Sequence, residues 1–345
     1  MPARVGRPSP VPYDAPMTES STTLAPPLDQ QLEAHRVELT AYCYRMLGSL
    51  DAEDAVQETF IRAWRAYERF EGRSALRSWL YRIATNVCFD MLDSRKRRAR
   101  PMDLGPAGEP IVENLRTPDQ LWIEPMPDGR VVADGDPAEI VGARESVKLA
   151  FVAALQQLPA RQRAVLILCE VLRWKAAEVA ELLETSVASV NSALQRARAT
   201  LEARDVRPAT TSPSVDAASD ELLQRYVTAF EQYDMDALTS LIREDATQSM
   251  PPFDLWLTGR DDILTWWFGP GKTCRDSRVV RVESANGSPA FGQYRPRPDG
   301  DGYEPWALQV VEIEDGKIVE LTFFLDVENV FPRFGLPLEY PANQL

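Results

Sequence analysis

The sequence predicts a multidomain fold, two all-α domains followed by an α+β domain, and three observations carry that prediction. Apolar residues recur at i, i+3, i+4 and i+7 in two blocks, 29–100 and 137–206, the period of helices with one buried face. From about residue 278 the apolar residues instead alternate or run in short stretches between Gly, Pro and Asp breaks, the pattern of strands. Aperiodic stretches rich in Pro, Gly, Asp and Ser separate the blocks, so the 345 residues, too many for one ordinary core, divide at visible seams. In order the chain reads as a disordered tail (1–28), a helical domain (29–100), an acidic linker (101–136), a second helical domain (137–206) with a helix–turn–helix at 176–195, a second linker (207–219) and a mixed domain (220–340).

Charge narrows the partners. The formal net charge of −14 repels nucleic acid, yet residues 31–100 hold thirteen Lys/Arg against ten Asp/Glu. Residues 101–140 hold two against nine, and residues 216–345 eleven against twenty-three. Such a chain touches DNA locally and binds it poorly alone, so a partner must supply the remaining phosphate contacts. The proline-rich start, MPARVGRPSPVPYDAP, has no apolar stretch and is not a secretory signal, and no window approaches the roughly 18 apolar residues of a membrane span. Cys43, Cys88, Cys169 and Cys274 are scattered with no CxxC pair, and the one histidine, His35, has no neighbouring ligand. They read as core residues of a cytoplasmic protein without a metal site, a cofactor or a disulfide framework.

In the first block Leu80, Ile83, Ala84, Val87, Cys88 and Met91 form one apolar stripe, with Ser78, Arg82, Thr85, Asn86 and Phe89 on the opposite face. The basic run RKRRAR (95–100) follows. A basic helix end with polar and aromatic neighbours suits phosphate contact and stacking on unpaired bases; a solvated face with a charged last turn gives the same pattern. The preceding helix, within DAEDAVQETFIRAWRAYERF, is expected to bury Val56, Phe60 and Trp64 and to expose Asp54, Gln57, Glu58 and Arg62.

The run from Asp51 to Arg98 closely resembles domain two of the extracytoplasmic-function group of RNA polymerase sigma factors. The resemblance implies that DAEDAVQETFIRAW docks on core RNA polymerase, against a coiled coil of its largest subunit, through Asp54, Gln57, Glu58 and Arg62. It implies also that RAYERFEGRSALRSWLYRIATN holds the nontemplate strand of the promoter minus-ten element. Phe70, Glu71, Gly72, Arg73 and Ser74 fall in its base-capturing loop, and Arg77, Arg82 and Asn86 on its helix. Phe89 stands where the family often carries a polar or basic residue, and it receives no role.

The second block opens on a well-formed helix start: Asp136 caps, Pro137 takes the first helical position, and Glu139 lies three residues after the cap. Further on, Ala176 to Leu183 read as a short helix and Glu184-Thr185-Ser186 as a turn. A longer helix follows, whose buried stripe is Val187, Val190, Leu194, Ala197 and Leu201. Ala188, Ser192, Gln195, Arg196 and Ala199 face away, flanked by Ser189 and Asn191, which suits base edges in a major groove; a packed helical hairpin has the same spacing. The segment 137–203, with its LPARQRAVLIL lead-in, resembles domain four of the same sigma group. By that resemblance Asn191, Ser192, Gln195 and Arg196 face the minus-thirty-five element. Two departures stand out. Glu184 occupies a turn position often held by glycine, which strains the backbone if φ is positive, and Asn191 and Ala193 replace basic residues, which weakens phosphate contact.

In the last block DELLQRYVTAFEQYDMDALTSLI is amphipathic and GRDDILTWWF reads as a short helix. RDSRVVRVES, GSPAFGQYRP, YEPWALQVVEIE and GKIVELTFFLD read as strands, so helices precede an antiparallel sheet in an α+β domain. The order resembles the SnoaL-like polyketide-cyclase family and its cone, most clearly in DMDALTSLIREDATQSMPPFDLWLTGRDDI. That family holds both small enzymes with a buried Asp base and noncatalytic binders. Trp256, Trp267, Phe291, Trp306 and Phe323, with Trp266 and Phe324, are candidates to line a pocket for a small apolar ligand or simply to fill the cone. Asp254 and Asp326 are the carboxylates nearest to such positions, with no histidine beside them and no paired acid motif, so no catalytic residue is assigned. The reading is a noncatalytic sigma factor that binds core RNA polymerase and promoter DNA, with its C-terminal domain modulating that activity. Two alternatives are a ligand-responsive helix–turn–helix repressor, which would bind duplex DNA without polymerase, and a cyclase- or isomerase-like enzyme fused to a DNA-targeting module.

Overall fold

Four helices build the first unit: α1 (Leu28–Glu33), α2 (Arg36–Leu47), α3 (Asp51–Ala66) and α4 (Leu76–Asp93). The structure is a computed structural model and describes residues 26–70, 75–93, 97–203, 217–298, 300 and 302–339. Gly48, at φ +68°, closes α2 in the left-handed conformation, and its N–H donates to the Tyr44 carbonyl, so the chain turns at once into α3. α2 is the central helix and is buried continuously from Leu39 to Leu47. The stripe expected on α4 points inward at Leu80, Ala84, Val87 and Cys88, but Thr85 is buried too. Its hydroxyl donates to the Tyr81 carbonyl at 2.7 Å and meets the Tyr42 hydroxyl at 2.7 Å, so a polar group expected on the outer face is satisfied inside. Cys43 and Cys88, far apart in sequence, meet in this core, where contact with Cys88 and burial hold the Cys43 thiol well above the ordinary range.

Residues 101–136 depart from the expected linker in being packed. β1 (Arg98–Ala99) pairs in parallel with β2 (Leu121–Trp122), and α5 (Asp128–Val131) follows. Trp122, Ile123, Met126 and Val131 are buried. The segment shows no periodicity because its apolar groups are covered by several units in turn rather than by a face of its own.

The second helical unit comprises α6 (Pro137–Glu145), α7 (Leu149–Gln156), α8 (Ala160–Leu166) running into a π-turn (Ile167–Val171), α9 (Ala176–Leu182) and α10 (Val187–Glu202). Asp136 caps α6, its carboxylate accepting from the Ala138 N–H at 2.8 Å. Between α9 and α10 Glu184 takes φ +50°, and the Ser186 hydroxyl caps α10 by accepting from the Ser189 N–H at 3.1 Å. α10 buries Val190, Ala197 and Leu201. Val187, expected in that stripe, is 44% exposed, because the first residue of the helix projects past α8 and α9.

In the third unit α11 (Ala217–Gln232) breaks from α12 (Met235–Leu241) at Tyr233, φ +58°, and Asp234 caps α12 by accepting from the Ala237 N–H at 3.0 Å. Then come β3 (Ile242–Ser249), β4 (Trp256–Thr258), α13 (Arg260–Phe268), β5 (Arg278–Arg281), β6 (Ala290–Pro296), β7 (Tyr303–Glu314), β8 (Lys317–Phe324) and α14 (Val327–Val330). The strand order is β4-β3-β8-β7-β6-β5, antiparallel except for the β3–β8 pair. Alternation sends Phe291, Val311, Leu321 and Phe323 to one face, where Tyr226, Ile263 and Trp267 from the helices cover them. Ala290, Tyr294, Leu308, Val310 and Phe324 lie in a different core, continuous with that of the helical units. No helix among the described residues is long and apolar enough to cross a membrane.

Candidate polymerase and promoter surfaces

Asp54 and Gln57 stand exposed on α3, as expected. Glu58 and Arg62 are half-buried and tied: Arg62 donates to Glu58 at 2.7 Å and to Asp90 of α4 at 2.9 Å. On the same line as Asp54 and Gln57 lie Ile61 and Trp64, and Trp64, expected inside, is 58% exposed. Ala55, Val56, Thr59, Phe60 and Ala63 form the buried stripe, and Trp64, although four residues beyond Phe60, lies past the end of the cover over it. At the start of α3 Glu53 pairs with Arg130 of the linker segment at 3.6 Å and with Arg333 of the third unit.

The α4 surface is engaged. Phe70 packs on Trp79 at 4.8 Å between centroids; Glu71, Arg73 and Ser74 lie outside the described residues. Arg77 donates to Glu38 at 2.7 Å, and its guanidinium lies over the rings of Tyr81 and Trp174, 5.1 and 5.5 Å from their centroids. Arg82 donates to the Glu181 carbonyl of α9 at 3.3 Å. Trp174 and α9 thus partly cover the first half of α4, while Asn86 remains exposed. On α10, by contrast, Asn191, Ser192, Gln195 and Arg196 are all exposed. Arg196 makes no ion pair among the described residues, whereas Arg198 pairs with Glu170.

Buried polar contacts lock this arrangement. Arg45 of α2 donates to the Ser146 hydroxyl at 2.6 Å, and Arg163 of α8 to the Gln156 side chain at 2.5 Å and to the Met46 carbonyl. Burial pushes both guanidinium groups down to about 10. Asn286, fully buried in the β5–β6 turn at φ +55°, joins all units. Its amide nitrogen donates to the Tyr44 hydroxyl and the Val147 carbonyl, both at 2.7 Å, and its oxygen accepts from the Met126 N–H at 2.9 Å. Beside it the Gly287 N–H donates to Asp128 at 2.7 Å, and a Cβ on Gly287 would stand 3.0 Å from the Arg144 carbonyl oxygen.

The family models for Sigma-70 region 2 and Sigma-70, region 4 match residues 32–98 and 148–201, and that for a SnoaL-like domain matches residues 223–321. The ECF RNA polymerase sigma factor SigG of Mycobacterium tuberculosis is 48% identical over 314 residues, 88% of this chain and 82% of SigG. The chain belongs to the ECF RNA polymerase sigma factor family. SigJ of the same organism, another ECF sigma factor, is 28% identical over 324 residues, 90% of this chain and 94% of SigJ. The SigJ crystal structure superposes with a TM-score of 0.56 at 24% identity, covering 90% of this chain and 100% of that one, so the fold is shared.

The SnoaL-like domain of this sigma factor encloses an apolar cavity between its helices and sheet. Trp267, Trp306 and Phe323 line it; Trp256 and Phe291 do not. Trp256 lies on the edge strand β4 and donates its indole N–H to the Gly105 carbonyl at 2.9 Å, while Phe291 packs against Tyr226 with ring centroids 6.1 Å apart. Neither carboxylate singled out from the sequence reaches the cavity. Asp254 is not among its lining residues, and Asp326 is exposed and accepts from Asn329 at 2.8 Å.

Proposed function

We propose that this sigma factor docks on core RNA polymerase with the α3 face of Asp54, Gln57, Ile61 and Trp64, reads the minus-thirty-five element with α10, and holds the opened minus-ten strand on α4. The SnoaL-like domain restrains the third of these by holding the helical domains together through Asn286. The observation that carries the reading is the exposed quartet Asn191, Ser192, Gln195 and Arg196 on the second helix of a helix–turn–helix, in a chain whose net charge of −14 opposes binding duplex DNA alone. The cavity supports a binder over an enzyme, because among the described residues no carboxylate or histidine lines it to serve as a general base. A partner or ligand changes activity to the extent that it prefers the open or the closed arrangement.

Run-off transcription with purified core polymerase and a pool of genomic DNA tests the proposal. Transcripts that depend on both proteins and start downstream of a shared two-part motif are expected. No core-dependent transcript, together with a tight duplex shift by the protein alone, would replace this reading with the repressor.

A further inference from the structure

The cavity in the SnoaL-like domain has a volume of about 260 Å³. Trp266, Trp267, Phe268, Trp306 and Phe323 dominate its wall, and no Asp, Glu, Lys, Arg or His among the described residues lines it. An apolar cavity of about 150 Å³ holds benzene, so this one has room for two rings, and a charged guest would lose its hydration with no counter-ion in return.

Among the described residues, the one side-chain amide in the wall with an unpartnered nitrogen is that of Gln248. Gln248 of β3 is 1% exposed, and the Trp267 indole N–H, which can only donate, donates to its Oε1 at 2.6 Å. That bond fixes the amide orientation and leaves the Gln248 NH₂ group without a hydrogen-bond partner among the described residues. The neighbouring Gln293 differs: its nitrogen donates to the Ser277 hydroxyl at 3.1 Å and its oxygen accepts from Gln309 at 2.9 Å. Gln248 therefore presents a donor that a ligand acceptor would satisfy.

Part of the wall comes from outside the domain. Val112 and Leu115, from the segment between the two helical domains, also line the cavity. Three hydrogen bonds strap that segment down: the Gly108 N–H to the Trp256 carbonyl, the Trp256 indole N–H to the Gly105 carbonyl, and the Asp254 N–H to the Arg116 carbonyl, each at 2.9 Å. The approach is close at Gly108, where a Cβ would stand 2.6 Å from Leu255 Cδ1 and displace that side chain.

We propose that the cavity binds a small, neutral, largely aromatic molecule whose hydrogen-bond acceptor meets the Gln248 NH₂ group, and that segment 105–116 is the lid of this site. A bound molecule touches the chain that joins the two helical domains, so occupancy tightens the strap. Its effect on promoter use rests on the proposed function; the site and its lid do not.

The experiment titrates the full-length protein with acetonaphthone, a neutral two-ring ketone, with naphthalene and with naphthoate, following tryptophan fluorescence. Saturable ketone binding is expected, with naphthoate at least about tenfold weaker. Gln248→Leu should weaken the ketone about three- to tenfold and leave naphthalene unchanged. Amide exchange at residues 108–116 should slow in the ketone-saturated protein. The three-ligand comparison on the unaltered chain stands even if the variant fails to fold. The proposal is overturned by an absence of saturable ketone binding, by naphthoate binding as well as the ketone, or by exchange at 108–116 that ignores the ketone. A folded Gln248→Leu variant that loses ketone and naphthalene equally overturns the role of Gln248. Run-off transcription tests the promoter reading separately, so the two failures are distinguishable.

Discussion

Helices α10 and α4 are proposed to share one task, reading promoter DNA, and the fold treats them oppositely. α10 turns Asn191, Ser192, Gln195 and Arg196 to solvent, whereas Arg77 and Arg82 of α4 are held by Glu38 of α2, Trp174 of the loop before α9 and Glu181 of α9. The difference follows the state of the DNA that each would meet. Duplex is available before polymerase acts, so its reader can stand open. An unpaired minus-ten strand exists only after opening, and a reader covered until then has its basic groups satisfied internally.

The largest test removes the hub. Asn286→Ala strands the Val147 carbonyl and the Met126 N–H, removes a donor from the Tyr44 hydroxyl, which keeps its bond to the Glu124 carbonyl, and places alanine at φ +55°, for a cost of about 3 kcal/mol. Small-angle scattering should show expansion, and affinity for a single-stranded minus-ten oligonucleotide should rise while duplex minus-thirty-five affinity in the holoenzyme stays constant. An expanded variant with unaltered single-strand affinity would mean that α4 is not restrained by the closed arrangement.

Arg196→Ala sharpens the other side of the comparison. It should cost roughly 1–3 kcal/mol of discrimination between consensus and altered minus-thirty-five elements if the guanidinium reads a base edge. Equal losses on every sequence would reduce Arg196 to a phosphate contact. A smaller effect is expected from Trp174→Ala, which removes the ring tilted at 57° against Tyr81, 5.1 Å between centroids, and lying under Arg77, worth about 1 kcal/mol. It should free α4 modestly without altering α10, and single-strand binding to the variant measures it.

The smallest effect is one of pH. Burial raises the Asp128 carboxyl, with the Gly287 N–H and Arg144 opposing. A folded-state value above the unfolded one means the closed state binds the proton more tightly. This contribution therefore favours closure at low pH and is lost as pH rises through the raised value. Acidifying from neutrality into the carboxylate range should depress single-strand binding further and leave duplex reading unchanged, and Asp128→Asn should flatten that dependence.

Truncating the SnoaL-like domain is a poorer test than Asn286→Ala. Leu308, Val310 and Phe324 belong to the same core as Tyr44 and Val147, so deletion would bare apolar surface as well as release a restraint.

Local rules account for what was legible. The Asp136 cap, the α9–turn–α10 unit and the strands from β5 to β8 depend on neighbours a few residues away, which the spacing of apolar, capping and turn residues records. The same spacing misplaced Trp64 and Val187, because periodicity says which residues share a face but not where the covering element ends. The two failed pocket assignments, Trp256 and Phe291, have a related cause: composition identifies aromatic residues, while strand position and neighbours decide which rings meet a cavity.

The sequence by itself determined the order of the units, their helical or strand character and the residue types offered on α3, α4 and α10. Only the tertiary structure decided which of those faces stay open, that segment 101–136 is packed, and that Val112 and Leu115 close a cavity in a domain more than a hundred residues on. The physical reason is the range of the interactions. A cap or a helical stripe is settled within a turn or two of chain, whereas the Met126 N–H finds its acceptor on Asn286, 160 residues away, and no local pattern encodes a partner at that separation.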